Sequence, residues 1–282
     1  MVEAIHDAKP ESSDQSSNSN DEAGVSTSGL TEPTPDATRC TEETEAFHAL
    51  GVFSTKQEDN RTLYDTMAVK YDTLQEMSGF NDPYELAKTA VEKLGQPGQP
   101  LAKSDARIMD LGCGTGLMGN ELKKAGFTNI YGIDGAPQML SRANEKGIYQ
   151  NTWEVLVGCT ELPTEAKYDE EVEGSGYDAV FSSACMIKGN FPNTCFDEML
   201  KILRPGGHFI FTIRNIYLNP ETDKGMGYAA KLAELEQVSK IVHVETVQYT
   251  KYKGLDLGSS YMEEAANVKI YKKAEAVPSR AE

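Results

Sequence analysis

Three glycines, Gly112, Gly114 and Gly116, fall within five residues, and an acid, Asp134, lies 22 residues beyond the first of them. Glycines so closely spaced let the backbone take positive φ and approach a ligand with no Cβ in the way. The flanking residues say what kind of ligand. Ile108 to Leu111 form an apolar run that reads as a strand, while Leu117, Met118 and Leu122 recur at helical spacing. A strand, a glycine turn and a helix N-terminus present unpaired N–H groups to a polar ligand, which is the chemistry of a nucleotide-type cofactor site. Asp134 ends a second apolar run, Ile130 to Ile133, where a carboxylate can accept from both hydroxyls of a ribose.

Two cofactor classes share that need, the nicotinamide dinucleotides and S-adenosylmethionine. The dinucleotide fingerprint has a third glycine, for close helix packing beside a pyrophosphate, where this chain has Leu117. That substitution weakens the dinucleotide reading without removing it.

The motifs MDLGCGTG, YGIDGAPQML and LRPGGHFIF, in that order, resemble the class I S-adenosylmethionine-dependent methyltransferases. Within the class, LYDTMAVKYD at residues 63–72, GIDGAPQML and GYDAVFSSA resemble the Williams-Beuren syndrome region methyltransferase-like proteins, with the quinone methyltransferases as more distant kin. The resemblance covers about residues 60–250 and is weakest after Ile216. It implies an enzyme that moves a methyl group from S-adenosylmethionine by in-line displacement. It also implies that Gly112, Cys113, Gly114 and Gly116 border the methionine portion and ribose, and that Asp110 orders that loop or meets the methionine amino group through water. By the same resemblance Asp134 takes the ribose hydroxyls, and Gly135 and Met139 lie against adenine. The family often has Asp after a glycine at the end of its third strand, to accept from the adenine amino group, whereas Cys159 stands there in this chain. A thiol is a weak acceptor, so Thr160, Glu161 or backbone groups are the alternatives. Ser183 follows the fourth strand and is expected to line the crevice. The sequence around it is not the Asn/Asp-Pro-Pro-aromatic motif of many base and glutamine N-methyltransferases. Tyr64 and Tyr71, seven residues apart, share a helix face in a segment that closes over the cofactor in the family.

A sulfonium makes its methyl group electrophilic unaided, so alignment and water exclusion carry most of the catalysis and a general base is optional. No catalytic residue is assigned and no metal is expected. His208 begins the fifth strand, the wrong end for the crevice, and His243 sits in an edge strand as a weak candidate base. Arg214 and Asn215 follow the fifth strand at its carboxyl end, where Arg214 can grip a carboxylate or phosphate bidentately or serve only a surface ion pair. Lys188, Asn190 and Phe191 occupy the loop after the fourth strand, another place for substrate contacts.

The elements that must position these residues alternate. Strands are expected near Ala106–Leu111, Ile130–Ile133, Trp153–Val157, Asp178–Ser182, Phe209–Ile213, Ile241–Tyr249 and Asn267–Tyr271, with helices after the first, second and fourth. Such alternation argues for an α/β, Rossmann-like three-layer sandwich, its seven-stranded sheet mostly parallel and its last strand antiparallel as in the resembled family. One helix is expected from about Thr62 to Leu74. A second carries Asn81 or Asp82 as cap, Pro83 in its first turn and Gly95 at its end. In LRPGG, Pro205 and the glycines are expected to end a helix whose Phe196, Met199, Leu200 and Leu203 face the core.

Residues 1–45 are rich in Ser, Thr, Asp, Glu and Pro without apolar period and are expected to be a disordered acidic tail. Residues 46–274 are expected to form the methyltransferase domain with an N-terminal helical cap, and residues 275–282 a loose end. The net charge of −17, shared between the tail and the rest, argues against a nucleic-acid substrate and favours a small-molecule acceptor over a protein. Five cysteines with no CxxC pair fit a reducing compartment. With no secretory signal and no apolar run long enough to span a bilayer, a soluble, cytoplasmic protein without membrane contact is expected. The competing expectation is a non-catalytic S-adenosylmethionine-binding or protein-interaction module.

Overall fold

The computed structural model describes residues 24–34, 56–253 and 262–275. Two helices come first, α1 (Gln57–Met67) and α2 (Tyr71–Met77), then α3 (Asp82–Leu94). Strands and helices then alternate: β1 (Ile108–Leu111), α4 (Leu117–Lys124), β2 (Ile130–Asp134), α5 (Pro137–Glu145) and β3 (Thr152–Glu154). The second half holds β4 (Tyr177–Ser182), α6 (Cys195–Ile202), β5 (Leu203–Arg214), α7 (Tyr228–Gln237), β6 (Ile241–Lys253) and β7 (Met262–Lys273).

The strands form one sheet in the order β3-β2-β1-β4-β5-β7-β6. The first five are parallel, and β7 runs antiparallel between β5 and β6. This is the expected Rossmann-like sandwich. Period-two alternation divides the core between its faces. On one side Met109, Leu111, Phe209 and Phe211 pack with Phe196 of α6 and Tyr228 of α7. On the other, Ile108 and Ile210 pack with Leu86 and Ala90 of α3 and Leu122 of α4. Among the described residues no helix is long and apolar enough to cross a membrane.

Four local expectations change. The single helix over 62–74 is two, because Ala68–Lys70 turn between α1 and α2 and leave Val69 exposed. Tertiary contacts override helix propensity there: Asp72 accepts from the Thr115 hydroxyl and pairs with Lys146 at 2.6 Å, which fixes α2 in a new direction. Asn81 makes no side-chain cap to α3; its amide donates to the Thr250 carbonyl at 2.8 Å, while Asp82 is buried against Tyr249 and Lys251. The third strand is shorter than the apolar run, since Val155 to Val157 leave the ladder to line a cleft. Pro205 to Gly207 belong to β5 as an irregularity, not a turn before it: the register against β4 jumps between Leu203 and His208, with Gly206 at φ +74°.

Part of the expected tail also has a place. The backbone N–H of Ser26 donates to the Ala125 carbonyl at the end of α4 (2.9 Å), and Val25 and Leu30 pack on the α3–α4 side of the core. Two apolar side chains and a backbone hydrogen bond place this strip where composition alone offers no period. The rest of residues 1–45, and residues 276–282, lie outside the described residues.

Candidate active site

In an open parallel sheet the ligand crevice lies where strand order reverses, at the carboxyl ends of the strands. Here that point is between β1 and β4, since β2 and β4 both pair with β1 and the chain order leads away from it in opposite directions. A cleft of about 670 Å³, partly continuous with solvent, opens there. Its floor is Gly112 and Gly114 after β1 and Ser183 to Cys185 after β4; one wall is Asp134 at the end of β2 and Gly135, Ala136 and Met139 beyond it, with Val155 to Val157 after β3. Gly189 to Phe191 close the opposite end, and Gln57, Asn60, Arg61, Tyr64 and Tyr71 cover it from α1 and α2.

Glycine is required at Gly112 for two reasons. Its φ is +79°, and a Cβ there would stand 2.4 Å from Cys185 Sγ. The loop is held by Asp134, whose two oxygens accept the backbone N–H groups of Gly114 and Ala136, each at 2.8 Å. Burial raises the Asp134 carboxyl above its usual range, and the backbone N–H groups of Ala136, Gly114 and Gly135 oppose the rise. A carboxylate has about four acceptor sites, so it keeps lone-pair capacity for a hydroxyl donor.

Behind the loop, Asp110 is fully buried. Burial pushes its carboxyl up to about 7, against the lowering effect of the Tyr149 hydroxyl, which donates to Oδ2 at 2.7 Å. Tyr149 reaches it through a gap that only glycine leaves, since a Cβ at Gly119 would lie 2.4 Å from the phenol oxygen.

The covering helices are tied to each rim of the cleft. Gln57 Nε2 donates to the Val157 carbonyl (2.9 Å), Arg61 pairs with Glu154 (2.6 Å), and Asp65 accepts the Gln138 N–H in the first turn of α5 (2.8 Å). Asn60 donates to the Gly189 carbonyl (2.7 Å), and Asn190 donates to the Tyr64 hydroxyl (2.8 Å). Tyr64 and Tyr71 meet edge to face with ring centroids 6.2 Å apart. Burial raises both phenols, so they stay neutral at physiological pH.

Of the residues expected at the site, Tyr64, Tyr71, Gly112, Gly114, Asp134, Gly135, Met139 and Ser183 line the cleft. Asp110 and Cys113 are buried, Asp110 behind the loop, and Gly116, the left-handed residue before α4, also stands off the lining. Cys159 and Thr160 stand just beyond it: the thiol donates to Gln57 Oε1, and Thr160 Oγ1 accepts from the Leu156 N–H at 2.9 Å. Lys188, Arg214 and Asn215 are not part of the lining. Arg214 donates to the Tyr217 hydroxyl (2.9 Å) and lies over that ring, and Asn215 accepts from Asn267. His243 is on the edge strand β6, paired with Thr246 at 2.8 Å, and burial lowers His208 to about 4 at the opposite end of β5. Gln57, Asn60 and Arg61 are site residues that motif reading does not reach. Their spacing with Tyr64, at i, i+3, i+4 and i+7, is nonetheless a legible polar face on α1.

The donor set fits a nucleoside-bearing cofactor. A carboxylate with free lone pairs, a loop without Cβ atoms, an apolar slot and a buried Ser183 hydroxyl lacking a hydrogen-bond partner converge on one cleft.

Residues 109–211 match the methyltransferase domain family. The human methyltransferase-like protein 27 is 34% identical over 62% of this chain and 64% of its own length. A mitochondrial ubiquinone biosynthesis O-methyltransferase of Dictyostelium discoideum is 26% identical over 67% of this chain and 59% of its own. The chain thus spans less than two thirds of either curated relative. In fold it is similar to a solved complex of the Haloferax volcanii Trm112 methyltransferase activator and a methyltransferase, with TM-score 0.51, 17% identity, and coverage of 76% of this chain and 96% of that one. The matched stretch runs from β1 into β5 and holds the glycine loop and Asp134, so residues 109–211 are the part of the chain that matches the methyltransferase domain family.

Proposed function

We propose that this protein is an active methyltransferase that uses S-adenosylmethionine and methylates a small molecule. The observation that carries the reading is Asp134, held by Gly114 and Ala136 on the wall of the cleft at the sheet's reversal point. In this reading Asp134 accepts the ribose hydroxyls, Gly112 and Gly114 admit the cofactor backbone, and Ser183 offers its unpartnered hydroxyl. Bound there, the cofactor supplies a sulfonium methyl group that needs no activation by the protein. Tyr64, Tyr71 and Phe191 exclude water from the covered end of the cleft, and the polar ties of α1 fix the distance between lid and floor, which supports alignment.

A small acceptor is favoured by the acidic balance of the chain, with a net charge of −17, and by the cover that α1 and α2 place over the cleft. A reducing, intracellular setting belongs to the same proposal and is supported by the free thiols of Cys113, Cys159, Cys185 and Cys195.

Titration calorimetry with S-adenosylhomocysteine tests the cofactor site. Wild-type protein is expected to bind in the micromolar range, and Asp134→Ala to weaken binding by roughly tenfold or more through loss of charge-assisted hydrogen bonds. Absence of binding to the wild type overturns the reading. Labelled methyl transfer into fractionated small-molecule and protein extracts tests the acceptor. Incorporation into the small-molecule fraction is expected, and incorporation into protein alone overturns the acceptor class. Cofactor binding with no transfer would make the protein a non-catalytic binding module.

A further inference from the structure

Gln57 opens α1 and lines the cleft at the Val157 carbonyl, in a lining that also holds Val155, Leu156, Ala136 and Met139. Its amide is fixed in direction. The Val157 carbonyl can only accept, so Nε2 faces it at 2.9 Å, and Oε1 faces the Cys159 thiol. A carboxamide has two N–H donors and two acceptor lone pairs, so each side retains one. What the cleft offers here is an apolar slot with one oriented donor–acceptor pair on its rim.

The neighbouring polar side chains have other work. Thr160 Oγ1 accepts from the Leu156 N–H at 2.9 Å and closes its own turn. Glu161 is exposed and paired with Lys167 at 2.7 Å. Arg61 is paired with Glu154 at 2.6 Å. A flat heterocycle carrying an adjacent donor and acceptor on its edge matches the slot, and a carboxamide pairs bidentately with adenine in this manner.

We propose that Gln57 reads the edge of the cofactor's adenine, its oxygen accepting from the exocyclic amine and its N–H donating to the adjacent ring nitrogen N1. This rests on the cofactor reading given above. Hypoxanthine presents the opposite pattern, a carbonyl beside a ring N–H. The amide would have to turn over to meet it, and turning would set the Gln57 oxygen against the Val157 carbonyl. The site therefore rejects the deaminated base. Cys159 acts in this arrangement as a positioning residue that orients the amide.

Titration calorimetry with S-adenosylhomocysteine and S-inosylhomocysteine tests the assignment on wild type, Gln57→Met and Gln57→Glu. Wild type is expected to prefer the adenine compound by about tenfold or more, since a wrong base leaves buried polar groups unpaired. In Gln57→Met the preference is expected to fall below about threefold, mainly through weaker adenine binding. Gln57→Glu, which has acceptors only, is expected to lose the preference as well. A looser lid would weaken both compounds together and leave the ratio unchanged. A folded variant that keeps the wild-type ratio overturns the role of Gln57, and so does a wild type that binds both compounds equally. If neither compound binds the wild type, the cofactor reading itself falls, and Gln57 with it.

Discussion

Replacing Asp110 by asparagine should change how the stability of this protein depends on pH. The carboxyl is fully buried and raised from 3.8 to about 7, chiefly by loss of hydration. The folded state therefore binds this proton more tightly than the unfolded chain does. The sign follows: the contribution to stability is fully present below the unfolded pKa, near 4, and is lost as pH rises through about 7. Between pH 5.5 and 8.5 the loss from this one group amounts to about 2 kcal/mol. The carboxamide of the Asp110→Asn variant has no proton to lose in that interval. Urea denaturation of both proteins at several pH values gives the difference in unfolding free energy, in which the other titrating groups cancel. That difference should move by about 2 kcal/mol against the wild type across the interval. Tyr149→Phe should push the descending limb to higher pH, because the phenol hydrogen bond that lowers the Asp110 carboxyl would be gone. A difference between wild type and Asp110→Asn that stays flat from pH 5.5 to 8.5 would refute the reasoning.

Gly112→Ala should destabilise the fold by roughly 2 kcal/mol or more, from positive φ and from the approach of the new Cβ to Cys185 Sγ; unchanged denaturation midpoints would contradict this. Phe196→Ala should cost about 3–5 kcal/mol in the same assay, since its buried ring packs against Phe209, Phe211 and Tyr228; a cost below about 1 kcal/mol would mean that the α6 side of the core can collapse around the gap.

The sheet was legible because its strands are apolar runs bounded by turn residues. Ile108–Leu111, Ile130–Asp134 and Tyr177–Ser182 follow that pattern within two residues of the expected limits. What escaped were places where contacts distant in sequence decide the backbone. Ala68 to Lys70 contain neither glycine nor proline, yet the chain turns there, since Asp72 is held by Thr115 and Lys146. Asn81 looks like a helix cap in isolation but spends its amide on Thr250, 169 residues away. Val25 and Leu30 sit in a polar stretch, and only the surface of α3 and α4 gives them a function.

The candidate site divides along the same line. Its floor is built by residues that follow strands directly, so Gly112, Gly114, Asp134 and Ser183 are set by local motifs and could be read from them. Its roof comes from a helix that precedes the sheet by more than forty residues, and the roles of its side chains depend on where that helix lands. Gln57, Asn60, Arg61 and Tyr64 show helical spacing in the sequence, but spacing alone cannot distinguish a solvated face from a lid. The distinction comes from the partners: the Val157 carbonyl, the Gly189 carbonyl, Glu154 and Asn190 belong to the loops after β3 and β4 or to β3 itself. β3 and the loops after β3 and β4 thus donate or accept at four positions of one helix face, so displacing α1 must break all four contacts together. Exposed pairs such as Arg61–Glu154 contribute little singly. The hold on the lid comes from their number and from the apolar faces of Tyr64 and Tyr71 on Ala136 and Met139.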